Sequence, residues 1–161
     1  MKMEISDRDF LIFFDRALDG MSKIVGELGQ EISNQRPNIE GINSPYAVLY
    51  HCVSLTNYWI GTLIGSRETK RDRNNEFVAV GDIKSLLTSV ETLKKQVRLD
   101  LQNYQGDQPP TEIPNIEYSP MKDYTDWNQA QVLLHTYEEL AQHHGHIEIT
   151  KDILIKSKPN S

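Results

Sequence analysis

Four of the five histidines, His135, His143, His144 and His146, fall in the run HTYEELAQHHGH. If that run is helical, Glu139 and His143 are four residues apart, so they stand one turn apart on one face and can converge on one ion. A third ligand from a facing helix would complete a site, and the fifth histidine, His51, has the side-chain type and the orientation to supply it. A His, Glu, His set suits Zn, Ni, Fe or Co, with Zn or Ni foremost and Fe next, and suits Ca or Mg poorly. Three protein ligands leave positions open for water, thiol or carbonyl, which separates a catalytic metal site from a closed structural one. A lone Glu-x-x-x-His pair is common on helix surfaces, and a lone core histidine is commonly held by hydrogen bonds alone. Three such groups facing one core favour an ion, because an unpaired carboxylate is costly to bury. His135 and His146, about one turn either side of the pair, read as orienting or proton-carrying groups, as does Tyr58. His144 reads as an exposed neighbour. Cys52 points about 100° away from His51 around the helix and reads as a small core residue, not a nucleophile.

Four helical segments must position these residues. The first begins near Ser6, an N-cap with Asp7 and Asp9 in the first turn, and runs to about Asn34. Phe10, Phe14, Leu18, Met21, Val25, Leu28 and Ile32 form its buried stripe. The second is announced by Ser44-Pro45 and reaches about Gly65, with Val48, His51, Leu55, Tyr58 or Trp59, and Thr62 on one face. The third starts near Gly81-Asp82 and continues to about Tyr104. Ile83, Leu86, Leu87, Val90, Leu93, Val97 and Leu101 point inward, and Lys94, Lys95 and Arg98 read as solvated charges. The fourth opens at Asp126, with Gln129 completing a capping box, and extends to about Lys156. Its expected buried face is Ala130, Leu133, Leu134, Tyr137, Leu140, Ala141, Ile147 and Ile153. The stretch from Gln105 to Tyr124 holds Pro109, Pro110, Pro114 and Pro120 and reads as a lid or binding segment. The run from Arg71 to Phe77 reads as a solvated loop anchored by Phe77, with no phosphate-binding pattern. Four long amphipathic helices with three connections predict an all-α four-helix bundle over a single domain, residues 1–161.

The 161 residues suit one core, and a formal charge of −6 disfavours nucleic-acid and membrane-surface roles. With 38% hydrophobic and 25% charged residues, the composition is that of a globular protein. A single cysteine, no basic and apolar leader and no membrane-length apolar run make a cytoplasmic setting the expectation.

The segments VLLHTYEELAQHHGHIEITKDIL and SPYAVLYHCVSLTNYWIG, with the loop RDRNNEF before a third helix, resemble the DinB-like superfamily. That superfamily includes YfiT-type hydrolases and mycothiol-dependent maleylpyruvate isomerases. The resemblance implies metal ligands at His51, Glu139 and His143, the three the helical spacing also selects. Glu at 139 is similar to the thiol-dependent branch, whereas YfiT-type members carry histidine there. The common His-Arg-Gly-Gln ending stands here as His143, His144, Gly145, His146. The resemblance also implies an up-down-down-up bundle with a long crossover between helices 2 and 3, here Ser66 to Val80, and a homodimer. The expected function is a divalent-metal-dependent enzyme that activates a low-molecular-weight thiol for transfer to, or isomerisation of, a small electrophile. Alternatives are metal-dependent hydrolysis of small amides or esters, a non-haem iron oxygenase, or a non-catalytic dimeric stress or binding protein.

Overall fold

A computed structural model describes residues 6–115, 117 and 126–156, and these are all helical in architecture with no strand among them. Helix α1 spans Asp7–Ser33. It starts where the sequence predicts, because Ser6 Oγ accepts the Asp9 N–H at 3.1 Å while the Asp9 carboxylate accepts the Ser6 N–H in return. Near its end Gly29 leaves helical geometry (φ 72°, ψ 177°), a conformation open to glycine, and the Ser33 hydroxyl donates to the Val25 carbonyl across the kink at 2.9 Å.

Helix α2 spans Pro45–Thr56 and opens with Ser44 Oγ accepting the Ala47 N–H. It then widens into a π-helical segment, Asn57–Thr62, closed by i to i+5 bonds such as Gly65 N–H to the Ile60 carbonyl at 2.9 Å. Residues 58–64 are all buried, so this end of the helix is enclosed on every face and Tyr58 and Trp59 are both inside, where a helix with one solvent face would bury only one of them. Gly61 leaves the space in which the Arg67 guanidinium lies, and Arg67 forms a two-bond pair with the buried Asp100 carboxylate at 2.8 and 2.9 Å.

The crossover is not a plain loop. It contains a short helix α3, Arg73–Glu76, capped by Asp72, whose side chain accepts the Asn75 N–H. Helix α4 spans Ile83–Asp100, capped by Asp82, and ends in a 3-10 turn, Leu101–Asn103. Two of its three basic residues expected to be solvated are paired across to α1: Lys94 with Asp19 at 2.7 Å, and Arg98 with Asp15. They stitch α4 to α1 because their long stems reach over the apolar seam.

Helix α5 spans Gln129–Lys156, three residues later than the expected start at Asp126. The capping box is made by Asn128 and Gln131, each backbone N–H donating to the other's side-chain oxygen. The preceding segment occupies the helix end: Gln129 and Ala130 donate their N–H groups to the Gln108 and Gly106 carbonyls, and the Gln129 side chain holds Gln105 and Pro109. The buried face of α5 is rotated from the expected one. Val132, His135, Thr136, Thr150 and Leu154 are inside with Leu133, Leu140 and Ile147, whereas Leu134 and Ala141 face out. Hydrophobicity misleads there because small polar Thr136 and Thr150 bond back to the carbonyls of Val132 and His146, so they enter the core without unpaired groups. The α1 helix packs against α5, α4 and α2, and α2 packs against α5 and α4 around one core.

Candidate metal centre

His51 occupies the middle of α2, where the apolar stripe turns it into the core, and it is 4% exposed. Glu139 and His143 come from the middle of α5 and face it. His143 Nε2 lies 3.5 Å from Glu139 Oε2, and the His51 and His143 rings meet edge to face with centroids 4.7 Å apart. One ligand atom from each of the three residues lies within 4.8 Å of the others, the single such group among the described residues. Ligands about 2.0–2.1 Å from a tetrahedral zinc-sized ion lie roughly 3.4 Å apart. The Glu139–His143 pair is already near that spacing, and the donor set is the nitrogen and oxygen mixture a transition metal takes. With side chains 29% and 21% exposed, Glu139 and His143 leave one side of the cluster open, as binding of an outside ligand requires.

The electrostatics favour the ligand form of His51 and of Glu139. Burial pushes the His51 imidazole below its ordinary value, helped by the His143 and Arg71 charges and opposed by Glu76, so the ring is neutral near pH 7. The Glu139 carboxyl is lowered, chiefly by the hydrogen bond from His143 and further by His135, His143 and His51, against the opposing effect of burial. A neutral imidazole and a carboxylate anion are what a metal ion binds.

Behind His51 stands a second cluster, built on the buried Glu76. Glu76 Oε2 lies 2.7 Å from His51 Nδ1. Ser54 Oγ donates to Glu76 Oε1 at 2.5 Å, and Arg71 donates to both carboxylate oxygens, Nε at 3.0 Å and Nη2 at 3.1 Å. Burial alone would raise the Glu76 carboxyl, yet the bonds from His51, Arg71 and Ser54 together with the Arg71 charge carry it down to about 2. Phe77 stacks on the His51 ring with centroids 5.0 Å apart. The expected solvated loop from Arg71 to Phe77 is therefore corrected: Glu76 and Arg71 are 1% and 2% exposed at the side chain. A run of mixed charges carries no periodicity that distinguishes an inward acid from an outward one. The usable signal was His51 itself, since a core imidazole needs a partner for its second nitrogen.

The remaining candidates separate by position. His135 is buried edge-on against Trp59 and Trp127, with Nε2 3.9 Å from Glu139 Oε1, so it adjoins the cluster from the carboxylate side. The His146 ring is inclined 27° to that of His143, with centroids 6.2 Å apart. His144 is not simply exposed: its ring packs against Gly20 of α1, away from the triad, with Nε2 3.8 Å from Glu148. The Tyr58 hydroxyl accepts the Asn115 N–H at 2.6 Å, and Thr111 binds the Thr62 and Leu63 carbonyls, so the proline-rich segment is tied to the π-helical segment. Most of the expected lid beyond Asn115, including Pro120 and Tyr124, lies outside the described residues. Cys52 is fully buried, with Sγ 3.7 Å from Met21 Sδ.

A family model described as mycothiol-S-transferase matches residues 9–154. No curated protein and no solved structure matches the chain.

Proposed function

The chain belongs to the mycothiol-S-transferase family, which covers nearly its whole length, and on that premise we propose that it is a divalent-metal-dependent enzyme that activates a low-molecular-weight thiol for transfer to, or isomerisation of, a small electrophile. The observation that carries this reading is the convergence of His51, Glu139 and His143, from two helices far apart in the chain, within 4.8 Å. These three residues would hold the ion. A bound divalent cation, Zn or Ni foremost and Fe next, supplies Lewis acidity that brings a thiol from its free pKa near 8.5 to thiolate at neutral pH.

The chain's own groups do the rest. Glu139 remains ionised beside His143, and His51 presents a neutral nitrogen. His135, against the other Glu139 oxygen, is placed to orient that carboxylate, and Trp59 and Trp127 shield it from water. The segment fastened by Tyr58 and Thr111 borders the π-helical end of α2. The same reading takes residues 1–161 as one domain, folded as an up-down-down-up four-helix bundle, acting in the cytoplasm as a homodimer.

The test is metal analysis of untagged protein together with thiol-dependent consumption of electrophiles. We expect near one equivalent of metal in the wild type and in His144→Ala, and loss of it in His143→Ala. Consumption should require added thiol. Hydrolysis of generic esters or amides without thiol would favour the hydrolase instead, and equal metal in both variants would remove His143 from the site.

A further inference from the structure

The metal-centre reading leaves open which His51 nitrogen faces the ion and what decides it. We propose that Glu76 is the positioning residue of the centre: its hydrogen bond fixes the His51 ring in the Nδ1–H form, so that Nε2 is the nitrogen offered to Glu139, His143 and their ion. This rests on the proposed metal centre and extends it to residues outside the triad.

A neutral imidazole carries one proton, and the nitrogen that binds a metal is the one its other hydrogen bond leaves free. An ionised carboxylate can only accept. With Glu76 Oε2 2.7 Å from His51 Nδ1, the proton belongs on Nδ1. The carboxylate is itself immobilised: Arg71 bonds both of its oxygens, and Ser54, one turn along α2 from His51, bonds Oε1. Phe77, the residue after Glu76, covers one face of the ring and restrains its rotation. The position is thus set from α2 and from the crossover at once.

Anchoring the crossover is the simpler role for this cluster, but a buried Arg–Glu pair is a weak source of stability, often matched by apolar residues of similar size. What apolar residues cannot replace is the acceptor for Nδ1. Such a carboxylate also makes the opposite nitrogen a stronger donor, and losing an outer partner of this kind typically costs 10- to 100-fold in metal affinity.

The experiment uses full-length protein, stripped of metal and titrated with Zn²⁺ against a chromophoric chelator. It compares wild type, Glu76→Gln, and Arg71→Met/Glu76→Leu, which removes the carboxylate with its counter-ion and so guards against simple unfolding. We expect both variants to bind Zn²⁺ about 10- to 100-fold more weakly. In a His51→Ala background the Glu76 change should add nothing, since it acts through that ring. Unchanged affinity, or the same loss in both backgrounds, overturns the proposal. Ring ¹⁵N shifts of His51 in zinc-free protein give a readout independent of metal: Nδ1–H in the wild type, and a shift toward Nε2–H in the double variant. A wild type already in the Nε2–H form sinks the assignment. Failure of the wild type to bind Zn²⁺ would instead strike the metal-centre reading, while the nitrogen shifts still decide what Glu76 does.

Discussion

His51 and Cys52 adjoin in sequence, and the helix sends them in directions about 100° apart. One reaches the open cluster with Glu139 and His143, and the other is sealed in the core against Met21. Burial, reinforced by the Glu139 and Glu76 charges, pushes the Cys52 thiol well above its ordinary value. Thiolate is the reactive form, so at neutral pH this residue is inert. Native protein should therefore leave an aromatic disulfide reagent unreacted, releasing one equivalent of chromophore only on unfolding. Cys52→Ala should keep its metal. Rapid labelling of the folded protein would show that the core is open at this position.

Element boundaries follow from single residues whose backbone preferences are strong. Gly26 and Gly29 both lie in α1, yet only Gly29 is outside helical geometry. Its φ of 72° with ψ of 177° is essentially closed to residues with a Cβ, so Gly29→Ala should cost about 1–3 kcal/mol. An added Cβ at Gly26 meets nothing within 4 Å. Gly26→Ala should accordingly stabilise by about 0.5–1 kcal/mol, the ordinary helix-interior preference. Denaturant midpoints of the two variants, moving in opposite directions from wild type, check the kink. The π-helical segment is the second such departure; it is enclosed on every face, and Tyr58 fastens the proline-rich segment there while Trp59 encloses His135.

At the scale of the molecule, the proposed ion would join α2 to α5, elements separated by the whole crossover, α4 and the proline-rich segment. A ligand that binds only the folded form stabilises it, by about 2.7 kcal/mol when present at 100 times its dissociation constant. Zinc added to stripped protein should raise the thermal midpoint of the wild type and of His144→Ala, and leave that of His143→Ala unmoved. Calorimetry reads this directly. A midpoint insensitive to zinc in the wild type would mean that the two helices are held by packing alone.

Periodicity and capping are local, and what depends on them was legible in the sequence. The long helices, the caps at Ser6 and Ser44, and the one-turn spacing of Glu139 and His143 all follow from residues a few positions apart, as did the choice of His51 as their inward partner. The start and buried face of α5 were displaced because a later capping pair and self-bonded threonines compete with the hydrophobic pattern. The support of His51 was invisible. Glu76 lies 25 residues away in a charged run, and it is inside only because Arg71, Ser54 and His51 together supply the hydrogen bonds that its burial demands. Whether a carboxylate is solvated or buried depends on partners brought together by the chain's path, so tertiary structure alone decided it.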